Sequence, residues 1–308
     1  MFVQRAVEAA WPKPSEAKGL VDVCVCTYRR PMLRECLEAI LAQDVAAPFR
    51  LIVADNAEEP QARELVESIA AGPHEVVYVH APAHNISIAR NACLDAAKGE
   101  WVAFIDDDET PVAGWLAALL AEAKRGKWDA VLGPVNAVYP KGAPGWMKAG
   151  GFHSTRPVWV KGEILTGYTG NVLIRRAVIE RTHIRFREEF GRTGGEDLDF
   201  FYRLRDWGAR IGFAPDAVAY ERVEEPRASL KWLMRRNFRA GQSHGSRLLA
   251  SGRRAKSLPA AGAKAAVCGV GAVLTAPLPR ARNRFLTRAA MHAGVVARLA
   301  GRTEIETY

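Results

Sequence analysis

An α/β fold, with a mostly parallel sheet, flanking helices and a basic helical extension at its C-terminal end, is what this sequence predicts. Three observations carry that prediction. Short apolar runs alternate with helical patterns from residue 20 onward, the connections between them are short, and the 308-residue chain has ordinary globular composition, 49% hydrophobic and 25% charged. Such an alternation builds parallel strands joined by crossover helices. A chain of this length can bury a full core.

The elements follow in order. "LVDVCVC" (20–26) is the first strand. "PMLRECLEAILAQ" (31–43) is the first helix, opened by Pro31, with Leu33, Leu37, Ile40 and Leu41 at helical spacing. "RLIVAD" (50–55) and "EVVYVH" (75–80) are the second and third strands, and "WVAFID" (101–106) is the fourth. Between them "PQARELVESIAA" (60–71) and "ISIARNACLDAAK" (86–98) form helices. Further on, "DAVLGPVNAVYP" (129–140) reads as one strand, "GAPGWMKAGGF" (142–152) as a mobile glycine-rich loop and "GNVLIRR" (170–176) as another strand. "GGEDLDFFYRLRDWGAR" (194–210) is a helix entered and left at glycines, and from about Arg227 the pattern turns helical and basic. The expected division is a body over 1–225, with halves at about 20–110 and 111–225, and a basic helical region over 226–308.

The formal charge of +9 hides an asymmetry. From Arg227 to Tyr308 sixteen Lys and Arg face two acids, a net of +14, whereas residues 1–226 carry −5. An acidic body with a basic tail suits a tail that meets an anionic surface. The five cysteines (Cys24, Cys26, Cys36, Cys93, Cys268) form no CxxC pair. They read as reduced thiols of a cytosolic protein and not as a zinc site. The first nineteen residues show neither an apolar h-region nor a small-residue cleavage site, so no signal peptide is expected.

"WVAFIDDDET" ends a buried strand in three aspartates and a glutamate, charges that repel unless something positive sits among them. Asp106 and Asp108 face the same way if the strand continues. Paired carboxylates at the carboxyl end of a parallel strand, where ligands gather, suit Mg²⁺ or Mn²⁺ with open positions for phosphate oxygens. The competing reading is a solvated acidic turn leading into the helix that begins near Pro111.

Five stretches, "VDVCVCTYRRP", "LIVADNA", "NISIARNACLDAAKGEWVAFIDDDE", "TGNVLIRR" and "GGEDLDFFYRL", come in that order over roughly residues 20–225. Together they resemble family 2 glycosyltransferases with the GT-A fold, and "CTYRRP" and "VADNA" resemble bacterial exopolysaccharide glucosyltransferases of the succinoglycan type. The resemblance implies a Rossmann-like GT-A domain that moves a sugar, best assigned as glucose, from a UDP-sugar. It implies that Thr27, Arg29 and Asp55 hold the uridine, with Asp55 accepting from the uracil N3–H. Asn85 and Arg90 would flank the nucleotide. Asp106 and Asp108 would be the DxD carboxylates, one reaching the ribose and the other the metal, with Asp107 left to the donor or acceptor sugar.

On the predicted helix from Gly194, Asp197, Phe200, Phe201 and Leu204 fall on one stripe, and Glu196, Asp199 and Arg203 on another. A carboxylate on an apolar stripe is costly without a partner or a job. The resemblance implies that Asp197 is the general base and Glu196 an acceptor contact, and a single base opposite the leaving group implies inversion. Asn171, in "TGYTGN", would contact the donor sugar or acceptor. An acidic first helical turn and a tight turn before a strand are the plainer readings of these two segments.

In the tail, Arg235 and Arg239 share a helical face beside Arg236. The resemblance implies that Arg236 or Arg239 closes over the diphosphate; a solvated basic face is the alternative. The uncharged run "AAVCGVGAVLTAPLP" is too short to cross a membrane. After it, Arg280, Arg284 and Arg288 lie on one side of a helix, with Phe285, Ala289, Val296 and Leu299 roughly on another. A basic amphipathic helix suits an anionic membrane surface and a lipid-linked saccharide acceptor, placing the protein in the cytoplasm on the inner face of the cell membrane. A C-terminal helix packed on the body is the competing reading. A nucleotidyltransferase lacks its glycine-rich phosphate loop here, and the tail has no nucleic-acid reading motif.

Overall fold

In a computed structural model of the chain, residues 18–70 and 72–305 are described. The stretch carrying the signal-peptide reading lies, up to residue 17, outside the described residues.

The first half runs β1 (Val21–Thr27), α1 (Leu33–Leu41), β2 (Phe49–Asp55), α2 (Arg63–Ile69), β3 (Val76–His80), α3 (Ile86–Ala96) and β4 (Trp101–Asp106). Then come β5 (Glu109–Pro111), α4 (Trp115–Gly126), β6 (Ala130–Leu132), β7 (Val135–Val138), α5 (Gly145–Gly150), β8 (Trp159–Val160) and β9 (Glu163–Ile164). The body closes with β10 (Asn171–Arg175), α6 (Arg176–Thr182), α7 (Glu196–Asp206), β11 (Ile211–Phe213) and β12 (Ala219–Arg222). The tail is α8 (Leu230–Ala250), α9 (Arg254–Leu274) and α10 (Pro279–Leu299).

Seven strands form one sheet in the order β11-β6-β10-β4-β1-β2-β3, parallel except for β10, which runs against both neighbours. The period of two in each strand sorts its side chains onto two cores. Val21, Val23, Val25, Leu51, Val53, Ala103 and Ile105 meet α1, α2 and α4 on one face. Cys24, Ile52, Ala54, Val102 and Phe104 meet α3, α6 and α7 on the other. This GT-A-like α/β architecture, with its C-terminal helical region, matches the fold expected. All five cysteines are free thiols.

Register sets the functional edge. Thr27 pairs with Asp55, and its neighbour Cys26 with Asp106, so the three predicted site residues end adjacent strands. A small second sheet, β5-β12-β7, stands beside them.

Two segments depart from expectation. The strand read over 129–140 breaks at Gly133–Pro134, so β6 joins the large sheet and β7 the small one. A Cβ at Gly133 would lie 2.4 Å from Ala217 O and 2.5 Å from Asn171 Nδ2, so the chain turns there through a space only glycine fits. The glycine-rich stretch 142–152 is not a loop throughout but carries α5, anchored by a fully buried Met147.

The tail departs further. Residues 265–274 of the apolar run lie in α9, a 21-residue helix that is long and apolar enough, by length and composition, to cross a membrane. Its glycines do not break it: Gly271 leaves room for Phe285 of α10, whose ring a Cβ would meet at 2.6 Å. On α10 the buried stripe is Asn283, Thr287, Ala290 and Gly294, while Phe285, Ala289 and Val296 are only half-buried. That stripe packs on α8 through glycines. A Cβ at Gly241 would meet Met291 O at 1.9 Å, and one at Gly294 would meet Phe238 O at 1.9 Å. In α8, Trp232 stacks on His153 of the body at 5.1 Å.

Candidate active site

A cleft of about 520 Å³ opens where β1, β4, β5 and β12 end, and the N-terminus of α7 enters it. Thr27, Asn85, Arg90, Asp106, Asp107, Asp108, Asp197 and Arg236 all line it. Arg29, Asp55, Glu196, Asn171 and Arg239 do not.

The acidic triplet is met by arginines. Thr27 Oγ1 donates to Asp107 Oδ2 (2.7 Å), and Arg30 Nε donates to Asp107 Oδ1 (3.3 Å). Arg30 also lies 3.4 Å from Asp108, Arg227 3.9 Å from Asp108, and Arg90 3.7 Å from Asp106. Burial still pushes the Asp106 carboxyl up to about 6 and that of Asp107 up to about 7.

Two further carboxylates join them. In the β5–β12 pairing Glu109 stands opposite Glu221, an arrangement of like charges that destabilises unless a cation intervenes. Burial, then Asp106, raises Glu109 well above its ordinary value, and burial, then Asp108, raises Glu221 to about 7. Glu109 Oε2 is buried with no hydrogen-bond partner. The missing Cβ of Gly170 leaves a gap 2.7 Å from Glu109 Oε1 and 3.0 Å from Asp106 Oδ2. An all-oxygen donor set with an orphaned oxygen fits a hard divalent cation. Among the described residues no group of three His, Cys, Asp or Glu is arranged to hold a metal by itself. Asp106 and Asp108 would hold such an ion together with oxygens of a bound diphosphate, as Mg²⁺ sites commonly do.

Asp197 sits in the first turn of α7. Burial, then the adjacent Glu196, raises its carboxyl to about 7, near the operating pH where a general base works best. It also opens onto a second cavity, so it stands at the boundary between cleft and groove.

Five predicted residues sit differently from expectation. Arg29 adopts φ 52°, which turns it outward to Glu58 (3.1 Å) and leaves Arg30 in the cleft instead. Asp55 is 1% exposed, and its oxygens accept from Ala57 N, Ala62 N and Tyr78 Oη at 2.9–3.1 Å, so most of its acceptor capacity goes to the protein. Glu196 is the more deeply buried of the two adjacent acids and is hydrogen-bonded to Arg90; an acceptor contact needs exposure it lacks. Asn171 is wholly buried, accepting from Trp115 Nε1 (2.8 Å) and donating to Pro134 O (3.1 Å) and Ala217 O (2.8 Å), so it braces the turn at Gly133. Arg239 donates to Thr193 O (3.3 Å) and lines only the second cavity, whereas Arg236 reaches both. Asn85 lines the cleft but also caps α3, accepting from Ser87 N (3.1 Å).

Sequence reading missed Tyr28, Arg30, Asn56, His84, Glu221 and Arg227, all in the cleft wall. Tyr28 and His84 stack at 4.4 Å with rings 11° from parallel. "CTYRRP" held the signal for Tyr28 and Arg30. Nothing local marks Glu221.

Residues 22–182 match the family described as glycosyl transferase family 2. This chain belongs to that family. It is 50% identical over 295 residues to the succinoglycan biosynthesis protein ExoM of Rhizobium meliloti (strain 1021), covering 94% of this chain and 95% of that one. It is 24% identical to a glucosyl-dolichyl phosphate glucuronosyltransferase of Haloferax volcanii, over 72% of this chain and 75% of that one. Among solved structures, S. aureus TarS 1–349 in complex with UDP-GlcNAc shares the fold at TM-score 0.55 and 22% identity, over 71% of this chain and 66% of that one. GalNAc-T7 with UDP, GalNAc and Mn²⁺ does so at TM-score 0.56 and 13% identity, over 74% and 51%.

Proposed function

We propose that the protein is an inverting, divalent-cation-assisted glycosyltransferase that moves glucose from a UDP-sugar to a lipid-linked oligosaccharide in bacterial exopolysaccharide synthesis. The observation that carries this reading is the position of Asp197 between two cavities, one lined by carboxylates and arginines, the other by arginines and apolar side chains. The similarity to a succinoglycan biosynthesis protein supports the exopolysaccharide setting.

In this reading the uracil lies by the Tyr28–His84 stack, with Thr27, Asn56 and Asn85 around the nucleoside. Asp106 and Asp108 would hold Mg²⁺ or Mn²⁺, and the bound ion would supply charge neutralisation for the departing diphosphate. Arg30, Arg227 and Arg236 surround the same oxygens. Asp197 takes the proton of the acceptor hydroxyl as its oxygen attacks the anomeric carbon and the bond to the β-phosphate breaks. Attack from the side opposite UDP gives a β-linked product from an α-linked donor. Arg90 and Glu196 are positioning residues: their buried pair fixes α7 against α3 and so aims Asp197.

The acceptor and location follow from the tail. Val267, Val270, Val273 and Leu274 of α9 are 60–76% exposed, with Lys264 inside the same helix. A lysine there favours lying in the membrane surface over crossing it. The protein would thus sit on the inner face of the membrane, where a lipid-linked acceptor is displayed.

A thermal-shift screen of UDP-sugars with and without Mn²⁺ tests the reading. UDP-glucose at a hundred times its dissociation constant should stabilise by ~2.7 kcal/mol, and at one fixed concentration it should stabilise more with Mn²⁺ than without. A flat response to every UDP-sugar would overturn it.

A further inference from the structure

A groove of about 1430 Å³ runs from Asp197 between the β8–β9 hairpin, α8, α9 and α10. Charge is segregated along it. Among the described residues its two acids, Asp197 and Glu221, stand at the catalytic end, while the far half presents His244, Lys256, Lys264 and His292 and no acid. Burial, then Arg247 and Lys264, holds His244 below its ordinary value, and burial, then Lys264 and Arg288, does the same to His292. Two lysines gathered without a counter-charge, beside two neutral imidazoles able to donate hydrogen bonds, mark a place for an anion.

The floor between these groups is apolar: Leu248, Ala260, Ala261, Met291 and Val295. Beyond it, Val267, Val270 and Leu274 follow Lys256 by 11, 14 and 18 residues on one helical face. They are 67%, 60% and 76% exposed. A free oligosaccharide needs neither the cations nor this apolar exit.

We propose that this groove binds one amphiphile, a long-chain hydrocarbon with a phosphate or diphosphate head. The head sits among His244, Lys256, Lys264 and His292. The hydrocarbon leaves along Val267, Val270 and Leu274, and the sugar carried on the head reaches back to Asp197. This rests on the reading of the acceptor as lipid-linked and adds where its head is held.

The test uses the full-length chain with farnesyl diphosphate, inorganic pyrophosphate and UDP, and the variant K256E/K264E, whose two lysines are exposed. Farnesyl diphosphate should bind about tenfold or more tightly than pyrophosphate, since the tail contributes. K256E/K264E should weaken it about tenfold while leaving UDP affinity unchanged, which also reports that the variant is folded. Saturating UDP should not displace it. Equal binding by the variant and the parent overturns the proposal, as does displacement by UDP. So does a variant that loses phosphatidylglycerol vesicles yet keeps farnesyl diphosphate, which would make the lysines a membrane-headgroup surface. Failure of every UDP-sugar to bind would instead sink the glycosyltransferase reading, so the two failures are distinguishable.

Discussion

The seven-stranded body and the three tail helices are held together in opposite ways. In the body, β2 is buried along its whole length, and both faces of the sheet carry continuous apolar cores. The tail's own apolar cluster holds three buried residues, Ala261, Val295 and Leu299, while α9 leaves four large apolar side chains in the open. What joins α8 to α10 is close backbone approach at Gly241 and Gly294. The body is therefore stabilised by what it hides. The tail is shaped to present something: arginines to the cleft and apolar surface outward.

Four experiments break or sharpen that contrast. The largest effect belongs to the carboxylate proposed as the base. Asp197→Asn should cut transfer by about 10²–10⁴-fold, the usual worth of a general base, while UDP affinity stays put. Equal activity of variant and parent would remove Asp197 from the chemistry. In the parent, transfer should rise as pH passes through about 7, where Asp197 ionises. The sign for stability is opposite. The folded value of about 7 exceeds the ordinary 3.8, so the parent loses stability as pH rises between them, and the Asn variant gains relative to it across that window. Denaturant midpoints from pH 4 to 8 check this.

Next comes the buried pair under the site. Arg90→Ala strands Glu196 without its partner and should cost about 3–5 kcal/mol in urea unfolding. A loss below about 1 kcal/mol would put that pair with ordinary surface pairs. In the tail, Gly294→Ala pushes a methyl against Phe238 O and should cost about 1–3 kcal/mol. A neutral result would show that α8 and α10 can part without penalty. Smallest in stability is Val270→Asp, at an exposed position, which should shift unfolding by about 0.5 kcal/mol or less yet release the protein from anionic vesicles in a flotation assay. Retained flotation would reject α9 as the membrane-facing surface.

How much of this was legible depends on how local each signal is. Strands β1 to β4 were readable because central parallel strands, shielded by helices, become unbroken apolar runs. The strands β5, β8, β9, β11 and β12 span two to four residues each and leave no period to read. Arg29 and Arg30 could not be told apart, since a left-handed backbone at Arg29 decides which one faces the cleft. That Glu196 is buried beside Asp197 was hidden for a related reason. Helical periodicity gives relative angles, but Arg90 on α3 decides that Glu196 turns inward.

By itself the sequence determined the parallel-sheet body, the acidic end of its fourth strand and the basic character of the tail. These follow from composition and short-range periodicity, which neighbouring residues set. Tertiary structure alone brought Glu221 opposite Glu109 across more than a hundred residues, spent Asp55 and Asn171 on bracing loops, and opened a groove from Asp197 to α9. Those outcomes depend on which elements meet, and packing between distant segments fixes that.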